Sequence, residues 1–261
     1  MKGRAFLSLY TVVLGYFAAS NSVVGIYEVA WSVSTIFAIF SDSLNRTLFP
    51  KISSLGADET DRISDLTSAA VAYAGLFLIP GLVGAVLVGD VVLSVYGSDF
   101  TAGATVLVVL TLSQLVYAYE EQFLNVLGAM DYPDVIFRIN GVFLAVSLGL
   151  NVALVPRIGW LGAAIGTTSA AAVGLVLGYV GLSRRLAFDM PWSELLRQAV
   201  AAAVMGVVVY LGRMLFGDSF LVIVSLIAVG ALVYVSLLVV ISTQFRTTVR
   251  ENLPVDVPPR L

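Results

Sequence analysis

Glu28, Ser32, Thr35, Asp42 and Arg46 are the first residues in this sequence whose types and spacing could do chemistry. At 100° per residue they fall within about 40° of one line on a helix, while the rest of "VGIYEVAWSVSTIFAIFSDSLNRTLFP" is mostly Ile, Val, Phe, Ala and Trp. An arginine there could hold a phosphate through two parallel charge-assisted hydrogen bonds, and an acid there could carry a proton or a cation. Gln114, Tyr117, Glu121 and Asn125 make a second line by the same spacing, from which Glu120 points away, and Asn140, Ser147 and Asn151 make a weaker third. Each line also has a plain structural reading. Asp42 and Arg46 form an i, i+4 pair that could simply neutralise itself, and Glu28, about one turn from the outer surface, could be solvated. Glu121 lies about two turns of 5.4 Å from the inner end, where its burial needs a partner or a raised pKa. Asn and Ser lines commonly hydrogen-bond between helices. The chain contains no cysteine and no histidine, which removes disulfides, thiolate nucleophiles, imidazole bases and the usual zinc ligands. The sequence therefore reads as a non-enzyme with no cofactor and no metal site.

The elements that position these lines must be membrane helices. Of 261 residues, 59% are apolar and only 12% charged, against roughly 25% charged in soluble domains. A bilayer core about 30 Å thick needs roughly 20 apolar residues per helix. The fold class expected is all-α, a polytopic transmembrane helix bundle of about eight spans, over 5–20, 23–49, 63–88, 102–127, 135–155, 159–182, 195–216 and 221–243. The tail "LPVDVPPRL" cannot continue a helix. Pro80 should kink the third helix. A signal peptide is a rival reading of the first twenty residues, since a basic start and an apolar run end there in small residues.

Basic residues in short loops favour the cytoplasmic side. With the amino terminus inside, Lys2, Arg4, Arg46, Lys51, Arg62, Arg138, Arg184, Arg185, Arg197, Arg246, Arg250 and Arg260 all fall inside, and only Arg157 and Arg213 fall outside. That asymmetry places a multi-pass protein in the cell membrane with both termini cytoplasmic. The net charge of −3 sits in short loops, and no nucleic-acid partner is expected. Gly162, Gly166, Ala170, Gly174 and Gly178 recur every four residues, a ridge almost without side chains. Lipid provides no hydrophobic drive for helices to associate, so close backbone approach along such a ridge takes over that role.

The run "LNVALVPRIGWLGAAIGTTSAA" resembles a signature in the second half of Wzx-type polysaccharide or O-antigen flippases, members of the multidrug/oligosaccharidyl-lipid/polysaccharide exporter superfamily. "VGIYEVAWSV" at 24–33, "LFPKISSL" at 48–55 and "IPGLVGAVLVGDVVLSVYGSDFTAGATVLVVL" at 79–110 agree with it in order. The resemblance implies two six-helix lobes and two further helices. Laid on that plan, 1–182 is the second six-helix lobe, 183–245 holds the two additional helices and 246–261 is a cytoplasmic tail. It further implies flipping of a lipid-linked oligosaccharide, a polyprenyl-linked glycan, from the cytoplasmic to the outer leaflet. The cavity between lobes would be lined partly by the helix carrying Glu28, Ser32, Thr35, Asp42 and Arg46, with Gln114, Glu121 and Asn125 as further cavity candidates. The partners implied are the lipid bilayer, that substrate and an amino-terminal lobe, separately encoded if need be. Two alternatives stay open: a cation-coupled multidrug exporter of the same superfamily using Glu28 or Glu121, and an inactive truncated lobe or partner subunit.

Overall fold

In lipid every backbone N–H and C=O must be satisfied inside its own segment, so apolar runs of this length fold as helices. The computed structural model describes residues 21–56 and 59–252; the expected first helix, 5–20, and the last nine residues of the tail lie outside them. Helix is the only regular structure among the described residues. The elements are α1 (Asn21–Ile36), α2 (Ile39–Ser53), α3 (Thr60–Ala74), α4 (Leu78–Ser94), a 3-10 turn at Ser98–Gly103, α5 (Ala104–Ala129), α6 (Pro133–Ser183), α7 (Trp192–Phe216), α8 (Phe220–Ile241) and α9 (Thr243–Asn252). They fall into two compact units, Met1–Pro191 and Trp192–Leu261.

Three of the expected spans differ in detail, each for a local reason. The span expected over 23–49 is two helices, because the chain bends by 51° between α1 and α2. Just before the bend the hydroxyls of Ser34 and Thr35 bond back to the carbonyls of Trp31 and Ser32 at 2.7 Å each. Such back-bonding competes with the helical ladder, and the chain turns at Phe37 and Ala38, where the Ala38 N–H reaches the Thr35 carbonyl at 3.0 Å. The third span breaks at Gly75–Phe77, one turn before Pro80 rather than at it. A proline ring clashes with the carbonyl four residues earlier, here Leu76, so the disturbance appears upstream. The two breaks meet: Phe37 lies over Gly81, where an added Cβ would stand 2.7 Å from the ring, and the Phe40 and Phe77 rings are 4.9 Å apart, edge to face.

α6 is the third case. Its 51 residues would reach about 76 Å if straight, at 1.5 Å each, far more than a bilayer. At Ile158 and Gly159 the backbone leaves the helical region, Gly159 taking φ 59° and ψ −137°, a conformation open to glycine and costly for other residues. There the chain folds back, bringing the second half of α6 against the first: a Cβ on Gly162 would stand 2.6 Å from the backbone of Leu154. The two expected helices 135–155 and 159–182 are therefore present as a hairpin. With the bent pair, the broken pair, α5, α7 and α8, the described residues make seven membrane-length passes.

The ridge is packed along its whole length. Gly162, Gly166, Ala170, Gly174 and Gly178 are all buried. Gly162 and Gly166 face the first half of α6, and Gly174 and Gly178 face Glu120 and Phe123 of α5. The core of this unit joins Tyr27, Trp31 and Val33 of α1 to Leu93, Leu107, Leu110 and Ala164. A second cluster nearer the basic ends gathers Ile52, Phe123, Leu127, Ile139 and Leu182. The segment after α6 returns to this unit: Leu186 is buried, the Phe188 ring lies against Phe123 and Tyr179, and the Ser68 hydroxyl donates to the Asp189 carbonyl at 2.8 Å.

The orientation can be checked directly in a chain free of cysteine. Ser98, Ser183 and Ser219 are exposed at helix ends. Single cysteines at Ser98 and Ser219 are expected to react with an impermeant thiol reagent added outside intact cells, and one at Ser183 only after lysis. Labelling of Ser183 from outside would reverse the topology.

Candidate cargo-facing polar surface

The apolar side of α1 decides where its polar side looks. Tyr27, Ala30, Trp31 and Val33 are buried in the core, which leaves Glu28 and Ser32 exposed on the other side. Thr35 is half-buried, with its hydroxyl committed to the Ser32 carbonyl. After the 51° bend the polar side continues on α2, where Asp42 and Arg46 are both exposed. The single straight line read from the sequence is therefore a bent one. Arg46 acts electrostatically on Asp42, yet no direct ion pair joins the two side chains. Arg46 stands seven residues from the end of α2, about 10 Å along the axis, and is exposed, with no side-chain partner among the described residues.

The inner side of α2 is held by polar contacts to α5. Asn45 Nδ2 donates to Glu121 Oε2 at 3.3 Å, and the buried Gln122 donates to Ser41 Oγ at 3.4 Å. Glu121 is half-buried and so has the partner that its depth requires. Gln114 is buried and Asn125 half-buried on the same helix. The structure thus brings Glu121 to the back of α2, while Glu28, Ser32, Asp42 and Arg46 stay on the open face. Periodicity could not supply Asn45, which falls off the line through Asp42 and Arg46. It also could not place Glu120: that side chain is 1% exposed and fills the notch at Gly174, where an added Cβ would stand 2.5 Å from Oε1. On the third line, Asn151 is 2% exposed and donates to the Ser147 carbonyl at 2.7 Å, an arrangement internal to α6.

The described helices of Met1–Pro191 thus form an all-helical membrane lobe with an open acid–arginine face on the bent helix pair α1 and α2. The chain belongs to the family of the lipid II flippase MurJ, whose sequence profile matches residues 3–230. It is 36% identical over 259 residues to the probable flippase AglR of Haloferax volcanii, covering 97% of this chain and 54% of that protein. It is 28% identical over 254 residues to the probable low-salt glycan biosynthesis flippase Agl15 of the same organism, covering 96% and 54%. Among solved structures, the lipid II flippase MurJ in its inward closed conformation superposes with a TM-score of 0.77 at 17% identity, over 91% of this chain and 50% of that one. The last likeness establishes the shared fold. The chain spans about half the length of these relatives.

Proposed function

We propose that this chain is the carboxy-terminal lobe of a flippase that moves a lipid-linked oligosaccharide, a polysaccharide precursor on a polyprenyl carrier, from the cytoplasmic to the outer leaflet of the cell membrane. The observation that carries the reading is the open face of Glu28 and Ser32 on α1, whose Tyr27, Trp31 and Val33 are packed in an apolar core, continued past the bend by the exposed Asp42 and Arg46 of α2. Ionisable side chains at membrane depth are costly and look into water or protein, so this face lines a polar path closed on its far side by an amino-terminal lobe. Arg46 holds the phosphate of the carrier near the cytoplasmic end, and Asp42, one turn away, orients it. The glycan-flippase names of the Haloferax relatives and the Wzx-like order of segments both favour an oligosaccharide cargo over a drug. The narrower Wzx-type assignment and a separately encoded amino-terminal lobe belong to this proposal as well. The test is expression of the chain with and without an amino-terminal six-helix lobe from a family member, in cells lacking their own flippase. Transport of lipid-linked sugar is expected only with both lobes. Transport by the chain alone, or none with the added lobe, would overturn the reading.

A further inference from the structure

A second group of charges lies wholly within the unit Trp192–Leu261, where α7, α8 and α9 are tied together. Glu194, in the first turn of α7, is 8% exposed. One of its carboxylate oxygens accepts from the Arg197 guanidinium, and the other accepts from the Ser242 hydroxyl at 2.6 Å. Ser242 is the corner at which the chain leaves α8, with an extended backbone of φ −102° and ψ 113°. Its Oγ also accepts the Phe245 N–H at 2.9 Å, capping α9. The negative charge of Glu194 is therefore already used twice, in fixing where α9 begins.

α9 reads "TQFRTTVREN". The helix sets the aromatic Phe245 next to the basic Arg246 in its first turn, both half-buried. It follows the last membrane pass directly, at the end carrying the basic residues that favour the cytoplasm. Arg246 is half-buried, its own N–H bonded to the Ser242 carbonyl at 3.1 Å. Its side-chain Nε–H is shut away from solvent with no acceptor. A buried charged donor left unmade is expensive, and Glu194, the carboxylate that touches this corner among the described residues, is engaged with Arg197 and Ser242. An arginine held this way, bonded through its own N–H to the Ser242 corner that Glu194 links to Arg197, lacks an oxyanion.

We propose that Arg246, assisted by Arg197, binds the phosphate of an anionic phospholipid headgroup in the cytoplasmic leaflet, with Phe245 against the acyl chains. A phosphate diester offers two acceptors to the guanidinium fork. It is also the anion that stands at this depth beside the end of a membrane span, where each basic residue near an anionic surface adds to binding. This site lies on different helices from the cargo-facing residues, and its ligand is a resident lipid.

The experiment uses the whole chain in nanodiscs of mixed phosphatidylglycerol and phosphatidylcholine, with retained lipid counted by native mass spectrometry. Phosphatidylglycerol should be retained in preference to phosphatidylcholine, and the preference should fall several-fold at high salt. Arg246→Gln should lower retention at least fivefold at unchanged folded yield. Arg213→Gln, which alters an arginine paired with Asp218 at the other end of α7, should leave retention unchanged. Equal retention by Arg246→Gln and the parent chain would overturn the proposal. So would displacement of the lipid by millimolar inorganic phosphate, which would mark a site for a soluble anion. If Arg246→Gln fails to fold, the salt-sensitive preference of the parent chain still decides: no preference between the two lipids would also overturn it.

Discussion

Replacing Arg46 by alanine is expected to cut transport of lipid-linked sugar about 10- to 100-fold when the chain works with an amino-terminal lobe, while the amount of folded protein stays the same. The side chain is exposed and makes no direct ion pair with Asp42, so its removal leaves no buried group stranded, and surface changes of that kind move stability by only about 0.5 kcal/mol. A charge-assisted hydrogen bond to a phosphate is worth about 1.5–3 kcal/mol. If Arg46 makes one, transport should fall about 10- to 100-fold in a complementation or vesicle assay. Asp42→Asn should weaken transport less, within about threefold, because it removes only a charge that acts on Arg46 through space and leaves the guanidinium in place. A structural pair would behave otherwise: each single change would lower protein level, and the Asp42→Ala, Arg46→Ala double change would restore level and transport together. That rescue would remove Arg46 as a ligand. Unchanged transport in both single variants would move attention to the line of Gln114, Glu121 and Asn125.

Gly162→Ala is expected to be the most destabilising single methyl that can be added to the α6 hairpin. The new Cβ would stand 2.6 Å from both the carbonyl carbon and the oxygen of Leu154 and 2.9 Å from the Val155 nitrogen. Backbone atoms cannot rotate away as a side-chain tip can, so the two halves of α6 must separate. Overpacking of this kind costs about 3 kcal/mol, and the ridge has no hydrophobic drive with which to recover it. Folded yield in detergent and thermal midpoint should both drop. Gly149→Ala is the matched control, because nothing lies within 4 Å of a Cβ there, and it should fold at least as well as the parent chain. Equal behaviour of the two variants would mean that the hairpin is not closed at Gly162. At Gly174 the neighbour is the carboxyl end of Glu120, a side chain that can shift, so Gly174→Ala should cost less than Gly162→Ala.

The sequence by itself determined the membrane class and the helical fold, because lipid demands long apolar runs with internally satisfied backbones and leaves few other solutions. It also determined that Gly162, Gly166, Ala170, Gly174 and Gly178 would be buried, since a repeat of four on a helix is one ridge whatever it packs against. The polar side of α1 was legible for the same reason: Glu28 and Ser32 lie about 100° round the helix from Tyr27 and Trp31 by periodicity alone. Periodicity describes one helix at a time, and its reach ends where two helices meet. Only the tertiary structure decided that the line from Glu28 to Arg46 is bent, because the hydroxyls of Ser34 and Thr35 bond to the Trp31 and Ser32 carbonyls and Phe37 at the turn packs over Gly81 of a distant helix. Only the tertiary structure placed Asn45 against Glu121 and Glu120 in the notch of Gly174, since such partners lie tens of residues apart in sequence and no spacing rule links them. The corner at Ser242, where Glu194 fixes the start of α9, is of the same kind: its parts are ordinary in sequence, and the fold brings them within hydrogen-bonding distance.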